Sequence, residues 1–263
     1  MTLADLLDEL REGILHDVSQ QIAGQSDKLW SDTRLIRYID EAQRRFAREG
    51  LVIRDGSTAK VCQVPLVATQ PVPVPGQTIY PLDPSVIAVI SAKLESDPAD
   101  LARAGHSALS TYRQPDPYFF NPSWLTVLPP GKPLAWSTDE YVSSDAGGSQ
   151  GIVNLRIYPA PNYAYGGQNI LLRVVRMPIV RLTIDDLQAV PEIPEEHHMD
   201  MLDWAAYLAL RKVDIDANDD NRADKFRASF EAHVAEAKKI VLRKLFSPLQ
   251  WGFGRSGWSW EGN

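Results

Sequence analysis

Prolines decide which topologies are open to this chain. Between Leu51 and Val190 they cluster at Pro65, Pro71, Pro73, Pro75, Pro81 and Pro84, each removing a backbone donor and blocking a helix interior. Short β-branched runs alternate there with turn residues. On either side, apolar residues return to helical spacing. The pattern predicts an α+β fold. A helical bundle is built from the N-terminal helices (1–50) and a C-terminal helix pair (191–245), with an inserted antiparallel β domain (51–190) and an extended tail (246–263).

Leu3, Leu6, Leu7, Leu10 and Ile14 predict a first helix from Leu3 to about His16. A second has Ser31 as its N-cap, Asp32 in its first turn and Trp30 placed to staple onto Leu35. Its apolar stripe is Leu35, Ile39, Ala42 and Phe46, with Gly50 as the stop. Expected strands are Lys60–Val64, Val86–Leu94, Leu125–Leu128, Val153–Tyr158 and Asn169–Met177. Arg113–Asn121 resists reading, and Thr138–Gly151 reads as a hairpin tip or long loop. Helix resumes with Pro194 as its first residue. The stretch Met201, Leu202, Trp204, Ala205, Leu208 and Ala209 is apolar over much of its circumference, which suits Met201, Trp204, Ala205 and Leu208 to a subunit interface. The last helix carries Phe226, Phe230, Val234, Ala237, Val241 and Leu245.

The tail from Ser247 to Asn263 holds Trp251, Phe253, Trp258 and Trp260 among four glycines. The glycines disfavour a helix, and the segment is too short for a core of its own. Its aromatics either fold back onto their own domain or dock into another subunit or protein. Docking is the preferred reading.

With 263 residues and 44% hydrophobic content, the chain can bury a sizeable core. Its net charge of −7 argues against nucleic acid as the main ligand, yet leaves room for DNA sliding past an acidic wall. No apolar run approaches the roughly 20 residues of a membrane span. Met1–Asp5 lacks the start of a signal peptide, so the chain is expected to be made and kept in a cytosol. Cys62, the single cysteine, rules out an intrachain disulfide and reads as an inert packed thiol in a strand.

Catalytic chemistry finds little support. Asp214–Asn218 opens like a calcium loop, but the sixth and twelfth places hold Asp219 and Lys225, and a lysine cannot ligate. His197 and His198 are neighbours about 100° apart on a helix and do not readily share a metal ion. No nucleophile elbow, phosphate-cradling loop or dinucleotide fingerprint occurs. The reading is of a protein that is not an enzyme and uses no cofactor or metal.

Several motifs follow one another in a telling order: Leu35-Ile36-Arg37-Tyr38-Ile39-Asp40-Glu41-Ala42-Gln43, Tyr80-Pro81-Leu82-Asp83, Leu155-Arg156-Ile157-Tyr158-Pro159-Ala160-Pro161, Leu172-Arg173-Val174-Val175-Arg176-Met177-Pro178, and Ile193-Pro194-Glu195-Glu196-His197-His198. With Leu202–Tyr207 and the long helix bearing Phe226 and Phe230, this order resembles the head-to-tail adaptor (connector) proteins of tailed bacteriophages, from Trp30 to Leu245. The resemblance implies a structural virion protein at the head–tail junction. It implies a homo-oligomeric, typically dodecameric ring with helices as its body, joining the portal protein to a tail or nozzle protein and continuing the DNA channel. No sequence-specific DNA binding and no membrane are involved. Such adaptors often reach the portal through C-terminal arms, which suits Trp251, Phe253, Trp258 and Trp260. The alternatives are a virion-associated cell-wall hydrolase with carboxylates in the β domain, and a carbohydrate- or receptor-binding module.

Overall fold

The computed structural model describes residues 1–17, 29–67, 78–103, 130–143, 150–211 and 219–245. The chain is a mixed α+β protein of two compact units: residues 1–52 with 180 onward, and residues 53–179.

In the first unit, Thr2 and Asp5 open α1 (Leu3–Asp8) with a reciprocal cap, each side-chain oxygen accepting the other's backbone N–H. The helix runs on as a π-helical segment, Glu9–Leu15. That wider turn carries an extra residue, so Leu15 joins Leu3, Leu6, Leu7 and Leu10 in the core, while Ile14, the expected core residue, is only half-buried. Within it, buried Arg11 donates to the carboxylates of Asp17 and Asp32 and, at 3.0 Å, to the Trp30 carbonyl. Asp17 also accepts the Leu29 N–H at 3.0 Å. One guanidinium thus ties the end of the first helix to the start of α2 (Asp32–Gly50).

Leu35, Ile39, Ala42 and Phe46 of α2 are buried as the spacing predicts. The helix starts after Ser31 and stops at Gly50 as expected, but the capping at both ends differs in detail. Ser31 holds the N-cap position, but its hydroxyl makes no capping bond; its carbonyl receives the N–H groups of Arg34 and Leu35. Gly50 does not turn the chain. Leu51 does, with φ of 57° in the left-handed region. A side chain at Gly50 would come within 3.3 Å of Val52 and 3.7 Å of Phe46, so its glycine answers to close packing.

Pro194 precedes one 3-10 turn, Glu195–His197, instead of entering the helix directly; α4 (His198–Leu210) follows, and then α5 (Asp220–Leu245). Phe230 of α5 meets Phe46 edge-on with centroids 5.8 Å apart, and Val234, Ala237 and Val241 continue its buried stripe. The Trp30 indole, expected to serve Leu35, donates to the Ala209 carbonyl at 3.2 Å. Arg222 of α5 donates to the carbonyl of Ile14.

The second unit holds two sheets around one core. The central strand of the first is β8 (Asn169–Arg176). Antiparallel β1 (Arg54–Asp55) and β2 (Gln63–Pro65) pair with it, as does the long β4 (Val86–Leu94). The second sheet runs β3 (Ile79–Pro81), β7 (Gln150–Tyr158), β6 (Ala135–Ser143), β5 (Ala102–Arg103), with only β5 parallel to its neighbour. Alternation sends Leu155 and Ile157, and likewise Ile170, Leu172 and Val174, into the core beside Trp136. In β4 the register shifts twice, between Val86 and Ala88 and between Val89 and Ser91. These irregularities reset the phase, so Val86, Val89, Ala92 and Leu94 all point inward despite their uneven spacing.

Several expectations here need correction. Lys60–Cys62 is not strand: α3 (Ala59–Cys62) is a single helical turn, and only Gln63–Pro65 is extended. The Asp55 carboxylate produces this by accepting the backbone and hydroxyl donors of Ser57 and Thr58, which turns the chain just ahead of Ala59. Cys62 is buried, and burial pushes its thiol up to about 11, keeping it protonated. The hairpin reading of Thr138–Gly151 holds over the long-loop one, but residues 138–143 and 150–151 belong to the β6–β7 ladder rather than to its tip. Leu125–Leu128 and Arg113–Asn121 lie outside the described residues.

The two ends of this unit close on each other. Arg54 and Asp55 pair with Val175 and Val174, the Arg176 N–H donates to the Ile53 carbonyl, and the Arg176 Nε donates to Asp55 at 2.7 Å. Burial alone would raise the Asp55 carboxyl. The donors from Thr58, Ser57 and Arg176 overcome it and hold the group far below the ordinary 3.8. A depressed carboxylate adds stability above its unfolded-state pKa and loses it as pH falls. Asp55→Ala is expected to cost about 3–5 kcal/mol at pH 7, because it removes the carboxylate that balances the charge of the buried Arg176 guanidinium and the acceptor for Ser57 and Thr58. In urea unfolding the gap from wild type narrows by about 1 kcal/mol at pH 3; equal stability of the two proteins at pH 7 contradicts this account of the closure.

Candidate interaction surface

Three of the four residues expected at a subunit interface face the chain's own interior. Met201, Trp204 and Ala205 of α4 are buried in the helical unit, and Leu208 alone keeps partial exposure. Trp204 is an internal anchor. Its ring lies 5.2 Å from Phe230 and 4.6 Å from Tyr207, and the Arg45 guanidinium sits 3.6 Å above it while bonding Glu49 at 2.8 Å. An α4 apolar all round is therefore surrounded by its own chain on most sides. Trp251, Phe253, Trp258 and Trp260 lie outside the described residues, as does Asp214–Asn218.

The histidine pair separates as the helical geometry requires. Buried His198 turns Nε2 to the Ile193 carbonyl at 3.0 Å, and burial lowers its pKa, favouring the neutral ring. His197 packs against Phe46 at 4.9 Å and places Nδ1 3.1 Å from Asp200. His233 of α5 stands between Asp200 at 3.5 Å and Asp203 at 3.8 Å. Burial raises the Asp203 carboxyl, partly offset by a Ser229 hydrogen bond and by His233. Among the described residues no three His, Cys, Asp or Glu side chains are grouped to hold a metal ion.

The surface that does stand out was not singled out from the sequence. Residues 180–193 run across the helical unit as an irregular strap with turns at 184–185 and 187–188. The Ala189 and Leu187 carbonyls accept the Leu3 and Ala4 N–H groups at 2.8 and 2.9 Å, satisfying donors that the start of α1 leaves open. From α2, the Asp40 carboxylate accepts the Leu182 N–H at 3.1 Å, and Gln43 accepts that of Glu192 at 3.3 Å. Leu182 and Ile193 point inward. Val180 just before them, and Ile184, Leu187 and Val190 between them, remain 62, 44, 39 and 58% exposed, and Met199 at the start of α4 is 44% exposed. These apolar side chains are held out from a backbone fixed by α1 and α2, which makes the strap a candidate interaction surface. The signal lay in Leu182-Thr183-Ile184-Asp185-Asp186-Leu187, whose apolar residues fit neither a helical nor an alternating period.

Because Trp204 is internal, Trp204→Ala is expected to lower unfolding stability by about 3–5 kcal/mol. Leu208→Ser should cost about 1 kcal/mol or less in the dilute protein. Equal melting shifts for the two would contradict this placement of α4.

The family model for the SU10 adaptor protein matches residues 1–251. Among curated proteins none matches the chain.

Proposed function

The chain belongs to the SU10 adaptor protein family, a phage head-to-tail adaptor family, and we propose that it forms a ring between the portal and the tail, continuing the DNA channel. The observation that carries this reading is the match over nearly the whole chain, which takes in both the helical unit and the inserted sheets. The protein is a structural component of the virion. It works by assembly, and its partners are the portal protein, a tail or nozzle protein, and further copies of itself in a dodecameric ring.

The physical features agree with such a role. An uncovered apolar strap on a well-packed unit suits a protein whose surface is completed by neighbours. The net charge of −7 suits a channel through which DNA slides without being held. In this reading the helices drawn from both ends of the chain form the ring body. Leu208 takes part in subunit contact, with Met201, Trp204 and Ala205 supporting it from beneath. Trp251, Phe253, Trp258 and Trp260 anchor the tail in pockets of the portal, the kind of site where buried aromatics carry binding energy. No helix among the described residues is long and apolar enough to cross a membrane.

Deleting Ser247–Asn263 is expected to leave the melting transition intact and to abolish co-sedimentation with the portal ring. Replacing all four aromatics by alanine should do the same. Normal attachment of the truncated chain would refute the docking role of the tail.

A further inference from the structure

Two surfaces of the helical unit are opposites in charge and alike in apolar character. The strap and the turn that follows it, residues 180–196, carry Asp185, Asp186, Glu192, Glu195 and Glu196, against Arg181 and the Met1 ammonium that bonds Glu195 at 3.1 Å, around the exposed Val180, Ile184, Leu187 and Val190. The end of α5 carries Lys238, Lys239, Arg243 and Lys244, all exposed, around the exposed Ile240. At 100° per residue, Lys239, Arg243, the exposed Glu236 and Ile240 fall within an arc of about 100°, a face on which the two cations outnumber the one carboxylate. That arc is turned away from the buried Phe230, Val234, Ala237 and Val241. Lys239 and Arg243 are four residues apart, a like-charge spacing that disfavours an isolated helix, relieved in part by the helix dipole and by Glu236 three residues before Lys239. An opposing acidic surface relieves it further.

We propose that the strap of one copy seats the basic end of α5 of a second copy. This rests on the ring reading above and names the surfaces that build the ring. Ile240 then covers the apolar row of the strap, while Lys239 and Arg243 meet Asp185 and Asp186. Because the two faces are different patches of one chain, the contact is head-to-tail, the kind that generates rings when its rotation closes. It ends before residue 246 and so leaves the aromatic tail to its own partner. Opposite charges across such a contact steer association and reject wrong registers, and make assembly weaker at high salt.

Charge reversal in the full-length chain tests this. Variant one carries Asp185→Lys with Asp186→Lys; variant two carries Lys239→Glu with Arg243→Glu. All four residues are exposed, and unchanged melting transitions would show that both variants fold. The assembly midpoint is read by light scattering over a concentration series, with and without the portal ring. Each variant alone is expected to need about tenfold or more protein to assemble, since like charges then face each other at every contact. An equimolar mixture should assemble as wild type does, because alternating copies restore every pairing. Variants that assemble like wild type, or a mixture that stays as weak as its parts, overturn the proposed contact while leaving the ring reading in place. A wild-type chain that never assembles, even with the portal, overturns both.

Discussion

A buried carboxylate–guanidinium pair, Asp55 with Arg176, holds together residues 121 apart in sequence. The helical unit depends on that closure, because it is made from the two ends of the chain. Its first part stops at Val52 and its second begins at Val180. Closing so long a segment costs entropy before any helix contact is gained. The short β1–β8 pairing and the fivefold-satisfied Asp55 oxygens offset that cost within the inserted unit itself. Once its ends are fixed side by side, the Trp30–Ala209 hydrogen bond and the Phe46–Phe230 contact can form between distant parts of the sequence.

The same principle recurs inside the helical unit, where buried polar groups fix what apolar spacing leaves free. Arg11 has three oxygen partners. Asp40 and Gln43, on the buried side of α2, accept N–H groups of the strap. These bonds leave the strap no freedom to fold its outer side chains away, and that exposure gives the surface its meaning in an assembling protein.

How much could be read from the sequence follows from the range of each interaction. The α2 and α5 stripes and strands β4, β7 and β8 were legible because periodicity is local, and the order of motifs was enough to suggest the adaptor family that the match over residues 1–251 bears out. Other features were set by distant partners. The helical turn at Ala59–Cys62 follows from Asp55, whose own state depends on Arg176. Ser31 holds the N-cap position without a hydroxyl bond, while the neighbouring Asp32 is bonded by the distant Arg11. Gly50 is conspicuous in sequence as a helix stop and α2 ends there, but the left-handed residue is Leu51, and the glycine answers to its close approach to Val52 and Phe46. Thr138–Gly151 reads as a hairpin tip or long loop; a hairpin it is, but its strands reach further than expected because the polar residues Ser137 to Glu140 hide a continuous ladder with β7. The strap was illegible because its conformation is imposed by α1 and α2 rather than by its own composition.

The central claim is that this chain acts by building a ring on the portal. Electron microscopy of the full-length protein bound to the portal tests it most directly, by counting subunits around the axis. The account predicts a closed ring of identical copies with an open central channel, each helical unit touching two neighbours. Isolated single copies scattered on the portal, or a chain that leaves the portal bare, would contradict it.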